Sequence, residues 1–300
     1  MADSLSIVTP SVVGEVFGNT GTVFHEVIGS LALTASGTTY DFMELEAFRR
    51  LAEKTPGQAA RVYWTEMLGR AHWAAMSNVL RHKRWQDACI RLFAPEPNYL
   101  GFAASLRGLL EASADAFYSL GSVPLTLANI HSAIESNLSG NATCMAISRE
   151  LEQMLIHFHY GRRAEKKQTV PDGHRAETAT TYLRGADGVD RGPMMLLYEE
   201  LCQLAHPAAQ SLLWMVEGRG EESIVSTTGD DRAWILNLCE RHRNALDDLQ
   251  MNSVNTCILI LKVLNKFPIR RFWTEYVDTV RMDAVPMWTK VRNAFSSSTN

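Results

Sequence analysis

The longest helical period in this sequence runs from Pro56 to Phe93, and it sets the terms for the rest of the chain. At about 100° per residue, Trp64, Met67, Leu68, Ala71, Ala75, Val79, Trp85, Cys89 and Phe93 fall on one arc, the signature of a stripe that is buried. Its start is written locally. Thr55 is a capping residue, Pro56 suits the first helical position, and Gln58 completes a T-x-x-Q capping box. Pro95 and Pro97 stop it. Arg70, Arg81, Arg84 and Arg91 gather on another arc of the same helix, the one basic stripe in the sequence. Glu66 shares its side and no aromatic platform is interleaved with it, so it reads as a solvated face in preference to a nucleic-acid surface.

The flanking text is helical as well. Phe42, Leu45, Phe48, Leu51 and Ala52 predict a helix from Asp41 to Pro56. Further helices are expected over 98–120, over 122–138 with Ser122 as cap, over 141–160, over 194–205, over 230–266 with Asp230 as cap, and over 272–295 with a kink at Pro286. Leu212–Val216 and Ser223–Thr228 allow one β-hairpin near 212–228. The fold class expected is therefore all-α, a bundle of about eight to ten helices. Residues 1–40 are rich in valine, threonine and glycine and read as an irregular arm; 41–300 read as a single helical domain. Within it, Arg162–Pro193 reads as a flexible connector around a short helix at 176–183.

Composition removes whole classes of function. With 46% hydrophobic residues, 19 Gly and 10 Pro in 300 residues, the chain is neither collagen-like nor disordered. A net charge of −4 offers no global attraction to nucleic acid or anionic membrane. No apolar run approaches the roughly 20 residues a membrane span needs, the strongest, Cys257–Leu261, being followed at once by Lys262. The Ala2-Asp3-Ser4 start lacks a cationic, then apolar, leader, and a cytoplasmic location is expected. Cys89, Cys144, Cys202, Cys239 and Cys257 form no C-x-x-C pair and read as reduced, buried thiols. No cofactor is expected, since neither a G-x-G-x-x-G turn, a Walker loop, a G-x-S-x-G elbow nor an H-E-x-x-H helix occurs.

Two segments place polar residues inside apolar helical text. On 141–160, Arg149, Glu152, Gln153, His157, His159 and Tyr160 lie opposite the apolar face. Covered by a neighbour, that face would hold a small polar or anionic ligand; in water it is an ordinary surface with Arg149 and Glu152 as an i, i+3 pair. His157 and His159 diverge by about 200° and cannot share an ion, so no metal is expected. The second segment is Tyr198–Pro207, where Glu199, Cys202 and His206 share a side. A Cys-His nucleophilic pair needs a third, orienting group that is not identifiable, and the alternative is that His206 finishes a helix before Pro207.

The Y-x-x-L-C-x-x-x-H-P stretch at Tyr198–Pro207, with R-x-x-E at Arg149 and Glu152, resembles a pattern in uncharacterised bacterial helical proteins that are loosely similar to HEPN-type domains, a group including RNase toxins and abortive-infection proteins. The resemblance covers about 141–213 and implies a helical core in which Arg149, Glu152, Tyr198 and His206 come together. The R-x(4 to 6)-H motif of HEPN ribonucleases is absent, because no Arg has a His five to seven positions later. Three functions follow as expectations. The first is interaction, with self-association into a homo-oligomer, suggested by seven Trp and twelve Met. The second is metal-independent RNA cleavage using Arg149 with His157 or His206. The third is a small-ligand pocket drawing on Arg149, Glu152, His159, Tyr198 and His206. Whether the protein is an enzyme stays open at this point.

Overall fold

A computed structural model describes residues 9–35, 37–140, 144–164, 168–171, 173–206, 210–219, 222–225 and 229–297. The fold is an all-α helical bundle. In chain order the helices are α1 (Pro10–Thr34), α2 (Leu45–Lys54), α3 (Pro56–Arg91), α4 (Tyr99–Leu120), α5 (Val123–Asn129), α6 (His131–Leu138), α7 (Arg149–Tyr160), α8 (Ala179–Asp187), α9 (Pro193–Ala205) and α10 (Gln210–Leu213). After a β1–β2 hairpin (Val216–Arg219, Glu222–Val225) come α11 (Asp231–Arg241), α12 (Arg243–Leu264), α13 (Tyr276–Thr279) and α14 (Pro286–Ser297). Among the described residues no helix is long and apolar enough to cross a membrane.

The helices are more numerous and shorter than the eight to ten expected, for identifiable reasons. The helix expected over 230–266 is capped by Asp230, whose Oδ1 accepts the Ala233 amide at 2.9 Å, but it breaks at His242. There Arg241 and His242 both turn to the Glu200 carboxylate, at 2.6 and 2.8 Å. The single helix expected over 272–295 is replaced by a turn of 3-10 helix, α13 and α14, with Pro286 opening α14 instead of kinking it. The hairpin is displaced from the expected strands: Val216 pairs with Val225 and Arg219 with Glu222, while Leu212 and Leu213 belong to α10. Part of the second expected strand, 226–228, lies outside the described residues.

The largest correction is at the N-terminus. In place of an irregular arm, residues 10–34 are helical, interrupted at Gly18 with φ 68° and ψ −169°. Val13, Val16, Phe17, Ile28 and Leu31 are fully buried, and their burial outweighs the weak helix propensity of the valine- and glycine-rich text. Gly18 takes a backbone conformation that other residues adopt only under strain.

The chain divides into two compact units. The first takes Met1–Gly29, Leu80–Tyr118 and Thr178–Val254; the second takes Ser30–Val79, Ser119–Glu177 and Asn255–Asn300. In the first, Phe93, Phe102, Leu106, Leu197, Leu201, Leu238 and Leu249 belong to one apolar core. A chain of polar side chains threads the same unit. His82 Nε2 donates to Gln250 Oε1 at 2.8 Å, and its Nδ1 accepts from the Ser113 hydroxyl at 3.2 Å. Gln86 Nε2 reaches Gln250 Oε1 at 3.4 Å, and Gln86 Oε1 meets His25 Nδ1 at 2.8 Å. Burial holds the His82 imidazole down to about 4, so it is neutral at pH 7. Arg81, placed by the sequence on a solvated stripe, instead pairs with the mostly buried Asp115 at 2.6 Å.

In the second unit α5 packs on α7 and α14. A Cβ at Gly69 on α3 would stand 2.8 Å from the Phe272 ring, so glycine there permits the close approach of that ring. His72 bridges the Tyr40 hydroxyl at 2.7 Å and the Thr274 hydroxyl at 3.3 Å, and burial lowers its imidazole to about 4. Cys89, Cys239 and Cys257 are buried as expected; Cys144 is exposed and Cys202 half-buried.

Candidate ligand-binding cavity

The second unit holds a half-open cavity of about 700 Å³. One wall is α3, which presents Tyr63, Glu66, Met67 and Arg70, residues three or four apart and therefore on one side of the helix. The facing wall is α7, where Glu152, Ile156 and Tyr160 recur every four residues. The stretch Phe42–Phe48, which runs into α2, and Met145 with Ile147 complete the lining. No residue of α2 is buried, so this amphipathic helix covers the cavity with its apolar side only partly sheltered.

Local hydrogen bonds explain why the walls stand where they do. Helix α7 begins at Arg149 and not at the expected residue 141, because the Ser148 hydroxyl caps it, accepting the Leu151 amide at 3.3 Å. The extended segment before it is tied to α3 twice. Trp64 Nε1 donates to the Ala146 carbonyl at 3.0 Å, and the Ser148 amide donates to the Tyr63 hydroxyl at 3.1 Å. On the other side, the Met43 amide donates to Glu66 Oε1 at 2.6 Å, which fixes the chain entering α2.

The polar groups converge on an apolar interior. The Tyr63 hydroxyl pairs with the Glu152 carboxylate; burial first, then this carboxylate, holds its proton on far above the usual tyrosine range. Burial raises the Glu66 carboxyl, an effect opposed by the Met43 amide and by the Arg70 and Arg271 guanidiniums. Arg70 lies over the Phe42 ring, 4.1 Å from its centre. Behind this wall His159 packs edge-on against Trp73, ring centres 4.4 Å apart, and against Phe42 at 5.5 Å. Burial, assisted by Arg70, lowers its imidazole to about 4, and its Nε2 has no hydrogen-bond partner among the described residues. Tyr160 stacks on His174, ring centres 5.0 Å apart and nearly parallel.

The residues singled out in the sequence are distributed over both units. Arg149, Glu152, His157 and His159 belong to the second, on α7, and Tyr198 and His206 to the first. Of the six, only Glu152 lines the cavity, while His159 packs on Phe42, one of its lining residues. Arg149 is exposed at the start of α7, and His157 is partly covered and stacks edge-on with Phe158. Tyr198 accepts a hydrogen bond from Arg107 at 3.3 Å and lies beside Cys202. His206 is exposed and terminates α9, its amide donating to the Cys202 carbonyl at 2.9 Å. Pro207 is outside the described residues. Tyr160, which the sequence places on the polar face of α7, also lines the cavity, whereas Tyr63, Glu66 and Arg70 are lining groups not expected from the sequence. Their signal was present as the Y-x-x-E-x-x-x-R spacing on α3, but Glu66 and Arg70 were assigned to water.

Among the described residues no group of three or more His, Cys, Asp or Glu side chains is arranged to hold a metal ion. No family model, no curated protein and no solved structure matches this chain.

Proposed function

We propose that this protein is a binding protein whose site is the cavity of the second unit, and that it takes a small ligand with an apolar body and a polar end. The observation that carries this reading is the cavity itself: about 700 Å³, walled by Phe42, Phe48, Met67, Ile147 and Ile156, with Glu66, Glu152 and Tyr63 converging on it. Sites for small molecules have this size and this mixture of apolar wall and few placed polar groups. The test is a thermal-shift screen of amphiphilic small molecules against the full chain and an Ile156→Trp variant, whose indole fills the space. Ligands that raise the melting temperature of the native chain and not of the variant support the reading; none doing so overturns it.

A second reading, self-association, is favoured by the first unit, where Leu212, Leu213, Val225 and Trp234 are 58%, 56%, 69% and 43% exposed. Side chains of this size left in water are typical of surfaces that meet a partner. Light scattering across a dilution series tests it: a monomer at every concentration counts against it, and a concentration-dependent mass lost on Leu213→Lys counts for it.

A further inference from the structure

From the balance of charge around the cavity we infer that its ligand is a cationic amphiphile, a primary amine carrying an apolar chain; this rests on the cavity being a ligand site. Three carboxylates, Glu44, Glu66 and Glu152, line it against one guanidinium, Arg70. That guanidinium, the one cation among the described lining residues, lies over the Phe42 ring and shows a positive group resting on an aromatic face in this wall; it and Arg271, which is outside the lining, both act on Glu66, so the carboxylates still outnumber the guanidiniums around the cavity, three to two. Glu152 receives the Tyr63 hydroxyl, a single donor against the several lone pairs of a carboxylate, so acceptor capacity is left for an ammonium. Glu66 commits Oε1 to the Met43 amide. A carboxylate-tailed ligand would meet these groups with like charge in a half-covered space, where repulsion is screened less than in bulk water.

The experiment is calorimetric titration of the full chain with three probes of one shape, n-octylamine, octan-1-ol and octanoate, at neutral pH and below their aggregation limits. Octylamine binding about tenfold or more tightly than octanol, with octanoate weakest, is the expected order, the margin of one charge-assisted hydrogen bond. Glu152→Gln then weakens octylamine about tenfold and leaves octanol unchanged, a split that a general loosening of the fold would not produce. Glu66→Gln repeats the measurement at a second carboxylate in case the first variant folds poorly. Octanoate binding as tightly as octylamine, or both variants leaving the amine affinity intact, overturns the ligand class while the cavity reading stands. No binding by any of the three, with Ile156→Trp equally silent, removes the cavity reading beneath it.

Discussion

In the first unit the interior polar groups look at one another: His82 sits between Ser113 and Gln250, and Gln86 joins Gln250 to His25. In the second, polar groups on the same helix α3 look into a cavity, where Glu66 holds one amide of the chain entering α2 and Arg70 lies on Phe42. The chemistry of the side chains is similar and their tasks differ. Side chains bonded to one another fix how helices pack, even though one buried donor of this network, Gln250 Nε2, has no partner among the described residues; groups opening into a cavity keep capacity for something that arrives from outside. Stability should therefore depend on the first set, and binding on the second.

The sharpest way to break that contrast is to truncate one member of each set. His82→Ala removes the bonds to Ser113 and Gln250, leaving Gln250 Oε1 only the longer one from Gln86, in a core where His82 is 2% exposed, and should cost about 4 kcal/mol in a urea titration. A loss below about 1 kcal/mol would remove the structural role assigned to the network. Acid should come next in size. His72 and His82, one in each unit, have imidazoles held at about 4 against 6.5 in an unfolded chain, so the unfolded state takes up their protons first. Stability is full above about pH 6.5, falls by roughly 1 kcal/mol per pH unit for each histidine on the way down to about pH 4, and levels off below. Replacing either by Gln should remove its share of that slope in pH-dependent denaturation. Smallest of all is Glu152→Gln at the cavity, expected to shift stability by less than about 0.5 kcal/mol in the same urea titration, because its carboxylate is only partly covered. A change as large as that of His82→Ala would place Glu152 in the packing and not in a binding site.

Much of the architecture was legible before any coordinates, and the limits were physical. The stripe from Trp64 to Phe93 is the buried side of α3 at most positions, because a long amphipathic period has one favourable solution. Trp85 departs from it at 36% exposure, its ring lying where a Cβ on Gly108 would stand. The Asp230 cap was readable from a side chain acting within three residues of its own position. Helix α1 was not, since only contacts with distant chain make helical conformation favourable for Val13, Val16 and Phe17. Of the candidate site, Glu152 was legible as a carboxylate on the polar side of α7. Glu66 and Arg70 were misread because periodicity distinguishes buried from unburied arcs, but cannot distinguish open water from a hollow that a separate stretch, Phe42–Phe48, half closes.

Cys144 gives the second unit a built-in handle. It is exposed, it stands one residue before the lining residue Met145, and three of the four other thiols are buried. A fluorescent maleimide would therefore report on the cavity rim in the native chain with no engineered cysteine, and a ligand settling against Met145 and Ile147 would change the colour or intensity of its emission.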